Sequence, residues 1–447
     1  MGDDADRSSY SRSRIGEGAA GRLADLARPS LDRRLTRHAS APLIVALSGG
    51  GDSVALLLAA KIWADAAGRG LLAVTVDHRL QGAGAAWAAG CQDRCRRLGV
   101  DHRTLVWSGS PPNTGLAAAA RRARHVLIAD AARAAGARVI LIGHTADDRL
   151  EARLMRAEGG SVSEPREWSP SPVWPEGRDL FILRPLIDVR RAALREILRQ
   201  GGETWIDDPA NDDLRQPRAR ARVALADGGE ASPDERLSCA AGLLTHVAGG
   251  PAGDLSLPRK ALRRAQPAAR RGLIGAAVLC AAGTARPPRG ERLARLVARL
   301  ADDAPFAATL SGARVEAGDD LIRILREVGE IRRAGEGPLP LPAGAGLVWD
   351  GRFEIEARAP GLSVRALEGR ASRLDSSALE GLKRVPVQVR KSLPALIDET
   401  GAVTCPSLGA DARVVVRSLV FPRLAAALGA IQDEAAIGRV AECLATS

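Results

Sequence analysis

The stretch that most constrains this chain is Ser48-Gly49-Gly50-Gly51-Asp52-Ser53, set between an apolar run at 43–47 and a helix-forming run at 54–67. Three consecutive glycines let the backbone turn tightly and expose its N–H groups without interference from Cβ atoms. A helix N-terminus directly after such a turn adds partial positive charge, so the combination makes a nest for phosphate. Ser48 and Ser53 can donate hydroxyl hydrogen bonds to the same anion. An aspartate beside a phosphate needs a divalent cation between them, which points to Mg²⁺ at Asp52. A glycine-rich turn capped by an acid is the plainer reading, but the flanking strand and helix stand where a phosphate loop requires them. The Gly-Lys-Ser/Thr ending of a Walker A loop is missing, and so is the spacing of a dinucleotide fingerprint.

Around this loop the chain alternates strictly. Strands at 43–47, 71–76, 102–107, 138–142 and 180–183 are separated by helices at 54–67, 85–98, 116–135 and 147–156, with another at 190–200. Short apolar strands separated by helices predict an α/β fold, a doubly wound parallel five-stranded sheet covered on both faces. Residues 1–40 read as a polar N-terminal tail, 41–226 as the sheet domain and 161–178 as a mobile surface loop. Residues 227–334 read as a mainly helical domain ending in a hairpin of 308–315 with 320–326. A Gly/Pro-rich linker at 335–346 leads to a small α+β C-terminal domain at 347–447, with strands at 347–357 and 385–389 and a terminal helix at 419–444.

In a doubly wound sheet, ligands sit beyond the carboxyl ends of the strands, where strand order reverses. The second strand ends in Asp77-His78 and the fourth in Gly143-His144-Thr145-Ala146-Asp147-Asp148. With strand order 3-2-1-4-5, the phosphate loop faces His144, Asp147 and Asp148 across one crevice. Each element alone has a plainer reading. Asp77-His78 could be a turn cap, and Asp147-Asp148 could favour a helix's first turn through its dipole.

Charge speaks to the partner. Lys+Arg is 64 against 53 acids, and only Lys61, Lys260, Lys383 and Lys391 are lysines. Arginine binds phosphate bidentately, so a net charge of +11 suits a polyanion, although a GC-rich genome also raises arginine. Aromatics at 3% are too few for a broad base-stacking platform. The six cysteines (Cys91, Cys95, Cys239, Cys280, Cys405, Cys443) show neither a disulfide framework nor a zinc clip. No apolar run nears the ~18 residues of a membrane span, and the first 40 residues lack a signal's apolar core. The expectation is a cytoplasmic protein with no membrane partner.

The S-G-G-x-D-S motif resembles the pyrophosphate loop of the N-type ATP pyrophosphatases, the PP-loop superfamily. The resemblance narrows with V-D-H-x-L at 76–80, A-R-x-x-R at 120–124 and G-H-x-x-D-D-x-x-E at 143–151. It continues through Leu154-Met155-Arg156, Arg184-Pro185-Leu186, Asp208-Pro209…Asn211-Asp212 and Arg218…Arg222. Together these are similar to the tRNA(Ile)-lysidine synthetase family across roughly residues 41–225, with weaker likeness at 309–314 and 390–406. Departures stand at His125, Ala152, residues 158–161 and Ala219, and they touch tRNA positioning more than ATP chemistry.

That resemblance implies ATP-dependent attachment of lysine to C2 of the first-anticodon cytidine in a CAU-anticodon isoleucine tRNA, through an adenylated cytidine. It implies ATP and Mg²⁺ as cofactors, free L-lysine and tRNA(Ile) as partners, and room for a homodimer. ATP would bind at Ser48, Gly49, Gly50, Gly51, Asp52, Ser53, Asp77 and His78. Asp52, His144, Asp147 and Asp148 would carry the chemistry. Arg121, Arg124, Arg184, Arg218 and Arg222 are candidates for lysine or tRNA, with basic segments at 215–222 and 259–271 as backbone contacts. Rival readings are another PP-loop adenylating enzyme, such as a tRNA thiolase or amide ligase, or a nucleotide-sensing module without catalysis.

Overall fold

The computed structural model describes residues 17–110, 112, 114–159, 162–208, 217–225, 238–333 and 337–438. Contacts divide the chain into two compact units. The first comprises residues 1–171, 180–232 and 433–437, and the second 172–179, 233–432 and 438–447.

The first unit opens with α1 (Glu17–Arg34), β1 (Leu43–Ala46), α2 (Gly51–Ala67), β2 (Leu71–Asp77), α3 (Gly84–Leu98), β3 (Asp101–Val106) and α4 (Leu116–Ala134). It continues with β4 (Val139–Ile142), α5 (Ala146–Ala157), β5 (Trp168–Pro170), β6 (Phe181–Leu183), α6 (Arg191–Gln200) and α7 (Pro217–Ala224). The sheet order is β3-β2-β1-β4-β6-β5. The first five of these strands run parallel, in the expected 3-2-1-4-5 order, and β5 adds an antiparallel edge. β1 is central, with Leu43, Ile44 and Val45 fully buried and paired to both β2 and β4. Strand order therefore reverses at the carboxyl end of β1, where the glycine loop begins.

Two expectations change here. Residues 17–34 are not tail: Ala20, Leu23, Ala24, Ala27 and Leu31 recur at helical spacing, and this buried stripe packs α1 against α2 and α6. The stretch 161–178, expected as a mobile loop, holds β5. Trp168 stacks on Phe181 with ring centroids 5.0 Å apart, and Glu167 accepts from Ser30 Oγ at 2.5 Å and Arg34 Nη2 at 2.8 Å.

The second unit contains α8 (Ser238–Ala241), β7 (Ala248–Gly249), β8 (Leu255–Pro258), α9 (Arg259–Arg264), α10 (Pro267–Ala281), α11 (Gly290–Ala301), β9 (Phe306–Leu310), β10 (Ala313–Ala317), β11 (Leu321–Arg326) and α12 (Val328–Arg333). The helices accompany an antiparallel sheet ordered β7-β8-β11-β10-β9. The expected hairpin is thus part of five strands, with a turn at Ser311-Gly312 dividing its first arm.

Farther on lie β12 (Leu339–Leu341), β13 (Gly346–Trp349), β14 (Phe353–Ala357), β15 (Leu362–Ala366), α13 (Ser376–Arg384), α14 (Val387–Arg390), β16 (Pro394–Ile397), β17 (Val403–Thr404), β18 (Val414–Ser418) and α15 (Val420–Ala427). Residues 387–390 are a helical turn, not a strand. Of the helix expected at 419–444, α15 is the first part, the helix breaks at Gly429, and residues from 439 lie outside the described range. The two domains expected here form one unit because their cores interlock. Ala252 and Leu325 belong to the cluster of Leu374, Leu382 and Leu393, and Leu424 and Leu428 to that of Leu273 and Ile324.

Far sequence neighbours meet in the first unit as well. Arg69, buried beneath α2, donates from both terminal nitrogens to Glu434, each at 2.9 Å, and Glu434 also accepts from the Thr36 N–H. Removing one member of such a buried pair strands the other charge, which costs about 3–5 kcal/mol. Glu434→Ala should therefore lower the unfolding free energy of the full chain by that amount in urea titration. A loss below about 1 kcal/mol would show that the clasp holds nothing.

Candidate active site

β1 delivers Leu47 and Ser48 to a turn in which Gly49 takes φ +82°, a left-handed conformation that a side chain would strain. A Cβ there would also press on the tip of the Ile206 side chain, which would have to shift, so the backbone conformation is what favours glycine here. Ser53 on the first turn of α2 donates to Gly50 O at 2.8 Å and accepts from Ser48 N at 3.2 Å, which fixes the loop's curl. Its outer face is strapped by residues 203–208. Ile206 N–H donates to Gly49 O at 2.9 Å, and the Trp205 ring lies over Gly51. The phosphate loop expected at 48–53 is therefore a strand–turn–helix nest, held open from behind.

β4 exits beside it. A Cβ on Gly143 would lie 2.8 Å from the Asp52 carbonyl oxygen, so only glycine lets the fourth strand pass this close to the first turn of α2. Thr145 then caps α5: its N–H donates to Asp148 Oδ2 at 2.8 Å and its hydroxyl to the same oxygen at 3.0 Å. Of His144, Asp147 and Asp148, expected at this strand end, Asp148 is tied to Asp52 of the loop through Arg191, whose guanidinium donates to both. Asp147 is engaged as a cap of α6, accepting from the Arg191 N–H at 2.7 Å and pairing with Arg190 at 3.1 Å. Asp148 instead faces inward with Glu151, whose side chain is only 1% exposed.

These acids sit among guanidinium groups. Arg191 Nε donates to Asp52 Oδ2 at 2.9 Å, Nη1 to Glu151 Oε1 at 3.2 Å and Nη2 to Asp148 Oδ2 at 3.5 Å. Arg218 pairs with both Asp148 and Glu151, and Arg222 Nε with Glu151 at 2.8 Å. Burial acts to raise the Asp148 pKa, but Arg218, Arg191 and the Thr145 N–H outweigh it and hold the carboxyl well below its ordinary range. Asp52 goes the other way: burial raises it, and Arg191 only partly offsets that. Its Oδ1 is buried with no partner.

The histidines are held neutral. Burial drives His144 far below its usual pKa, and Arg184 adds to this. Arg184 Nε donates to His144 Nδ1 at 2.8 Å, which leaves the ring proton on Nε2. Arg184, expected at a ligand, is thus buried behind His144. At the β2 end His78 Nε2 accepts from Arg124 at 3.2 Å, leaving a buried Nδ1–H with no acceptor. Asp77 accepts from the Arg79 N–H at 2.8 Å, the turn-cap arrangement. Arg121 and Arg124 keep an exposed edge on α4; enclosure by the site walls lowers both, and Arg218 adds to the effect. Arg259 of the basic segment 259–271 is 1% exposed and donates to the carbonyls of Asp303, Gly318 and Ala304, so it is a core residue and not a surface contact.

Arg191 and residues 203–207 of the strap were not singled out from sequence, and Gly143 and Glu151 stood there only as motif ends without a role. Glu151 carried a signal, since it closes the G-H-x-x-D-D-x-x-E run. Arg191 had none beyond its place after Arg184-Pro185-Leu186. Among the described residues, no group of three or more His, Cys, Asp or Glu is arranged to hold a metal by itself, and no helix is long and apolar enough to cross a membrane.

A sequence model of the PP-loop domain matches residues 24–228. The chain is 49% identical to a tRNA(Ile)-lysidine synthase of Caulobacter vibrioides over 418 residues, covering 92% of this chain and 98% of that one. It is 37% identical to the tRNA(Ile)-lysidine synthase of Hyphomonas neptunium, covering 65% and 83%, and 37% identical to that of Mesorhizobium japonicum, covering 73% and 75%. Among solved structures, a U34-tRNA thiolase from Methanococcus maripaludis with its [4Fe-4S] cluster aligns at TM-score 0.40 and 13% identity, over 47% of this chain and 74% of that one.

Site burial has a consequence for acid stability. His125 on α4 is buried, and burial with repulsion from Arg121 and Arg124 pushes its pKa down to about 3. Between about pH 6.5 and 3 the unfolded chain binds a proton there that the folded chain refuses, so stability falls as pH falls through that window. His125→Phe should flatten the slope of unfolding free energy between pH 6.5 and 4, measured by urea titration at each pH. An unchanged slope would contradict this.

Proposed function

The chain belongs to the tRNA(Ile)-lysidine synthase family, and from that premise we propose how its site divides the work. It is an ATP-dependent enzyme that forms lysidine on tRNA(Ile). A cytosine carbonyl is a poor electrophile until its oxygen becomes a phosphate ester, so activation precedes amine attack. On our reading, the C2 oxygen of the first-anticodon cytidine attacks the α-phosphorus of ATP and pyrophosphate leaves. The ε-amine of free L-lysine then attacks C2, and the C2–O bond breaks to release AMP. The product reads AUA in place of AUG.

The observation that carries this assignment is a glycine loop at a helix start, joined through Arg191 to a buried acid pair ringed by arginines. Gly49, Gly50, Gly51, Ser48 and Ser53 would hold the pyrophosphate moiety, with backbone N–H groups and the α2 dipole meeting the charge that develops there. His78, fixed by Arg124, offers its free Nδ1–H at the β2 end to the nucleotide. The unpartnered Asp52 Oδ1 fits Mg²⁺, which is commonly held by one or two carboxylates together with substrate phosphates. Bound there, Mg²⁺ would neutralise phosphate charge.

Asp148 and Glu151 would receive the ammonium groups of lysine. A general base works best with a pKa near the working pH. Asp148 lies far below that, so it orients the amine and does not take its proton. His144, neutral and aimed by Arg184, would present its Nε2–H to the flipped base. Arg121 and Arg124 at the crevice edge suit the lysine carboxylate or an RNA phosphate. In the second unit, exposed Arg264, Arg271, Arg292 and Arg295 suit the tRNA backbone.

A thiolase on the same fold would need reactive or cluster-binding cysteines. Cys91 and Cys95, the cysteines nearest the loop, are buried and held protonated, Cys95 at about 12. The test is ATP–pyrophosphate exchange with unmodified CAU-anticodon tRNA(Ile), with and without lysine, followed by nucleoside analysis. Exchange should require the tRNA; turnover without it would sink this reading. Asp52→Ala should lower the exchange rate about 10²–10³-fold while leaving tRNA affinity intact. An unaffected rate would exclude the role given to Asp52.

A further inference from the structure

Asp52 and the α5 acids belong to different elements, and one side chain joins them. Arg191 occupies the first position of α6 and spreads its three guanidinium nitrogens over Asp52, Glu151 and Asp148, at 2.9, 3.2 and 3.5 Å. Its backbone N–H is held on Asp147. The side chain is partly enclosed, at 17% exposure, and these carboxylates outweigh its burial and push its pKa up.

The arrangement is lopsided at Asp52. Only Oδ2 has a partner, while Oδ1 is buried and bare. A carboxylate set in a phosphate nest needs a cation when the nest is empty, and this one has half of what it needs. Arg191 itself depends little on that bond, since two further acids and a backbone anchor would keep it in place without Asp52.

We propose that Arg191 is a place-holder cation: it neutralises Asp52 while the nucleotide site is empty and yields the carboxylate to a divalent cation arriving with the nucleotide, remaining bound to Asp148 and Glu151. No bond is made or broken; one cation replaces another on a carboxylate. The idea rests on Asp52 being the metal-linked acid. It makes Arg191 a positioning residue that keeps the acid ionised and aimed without competing strongly with the metal.

Mn²⁺ serves as the probe, titrated into the full chain without nucleotide and followed by electron paramagnetic resonance. Arg191→Gln removes the competing cation, so Mn²⁺ should bind about tenfold tighter or more. Asp52→Asn in the same background should abolish the gain. Arg191→Lys, which keeps the charge but reaches one acid at a time, should fall between Gln and wild type. Arg195→Gln is the control for general charge. Asp52 also feels Arg195, but that side chain is engaged with Asp207 at 2.9 Å and lies 5.7 Å from the Trp205 ring centre, so its loss should shift Mn²⁺ affinity far less.

Unchanged or weaker Mn²⁺ binding in Arg191→Gln, with Mn²⁺·ATP binding still lost in Asp52→Asn, would overturn the place-holder and leave the metal reading standing. Mn²⁺·ATP binding untouched by Asp52→Asn would overturn both. Circular dichroism of each variant establishes that it is folded before titration.

Discussion

The passage of Gly143 against the Asp52 carbonyl is the contact on which the rest of the site depends. β1 and β4 are neighbours, and strand order reverses between them, so their two exits share one opening. Sharing is useful only if the exits come close enough for chemistry, and a Cβ on residue 143 would push them apart. Once they touch, the nest of residues 48–53 and the cap of α5 are set side by side. The distances from Arg191 to Asp52, Glu151 and Asp148 then follow from backbone already in place.

Electrostatics completes what the backbone begins. Asp148 and Glu151 are nearly buried, and burial alone would protonate them or expel them to the surface. Arg191, Arg218 and Arg222 pair with them there, and the Asp148 carboxyl is held well below its ordinary range. Cation placement, more than net charge, is what the site uses, and the same holds elsewhere. Arg69, Arg259 and Arg352 are core residues, and the last spans Asp350, Ala252 O and Ser392 O. A good part of the arginine excess therefore ties the fold together. The +11 of the sequence is a weaker pointer to RNA than the exposed arginines of α10 and α11.

Sequence patterns carried the sheet domain well because its signals are local. Apolar runs such as 43–47 and 139–142 can hardly be anything but buried strands, and Gly49–Gly51 between a strand and a helix has few uses. Strand order followed from chain topology, and it sets Asp52 and Asp148 on neighbouring strand exits. What stayed hidden depends on contacts across sequence. α1 was obscured because its buried stripe is mostly alanine, which looks neutral in a window of Arg and Asp. The five-stranded sheet of the second unit is assembled from strands of two to six residues, too short for alternation to register. Arg191 was one arginine among 60, and only its surroundings set it apart.

The fate of one oxygen atom distinguishes this chemistry from its rivals. If the crevice activates cytidine by placing its C2 carbonyl oxygen on the α-phosphorus, that oxygen must leave with AMP when lysine attacks. A CAU-anticodon tRNA(Ile) carrying ¹⁸O at C2 of the first-anticodon cytidine, turned over once with ATP and lysine, tests this by mass spectrometry of the products. The label should appear in the phosphate of AMP and vanish from the modified nucleoside. Label retained in the RNA, or found in pyrophosphate, would contradict it.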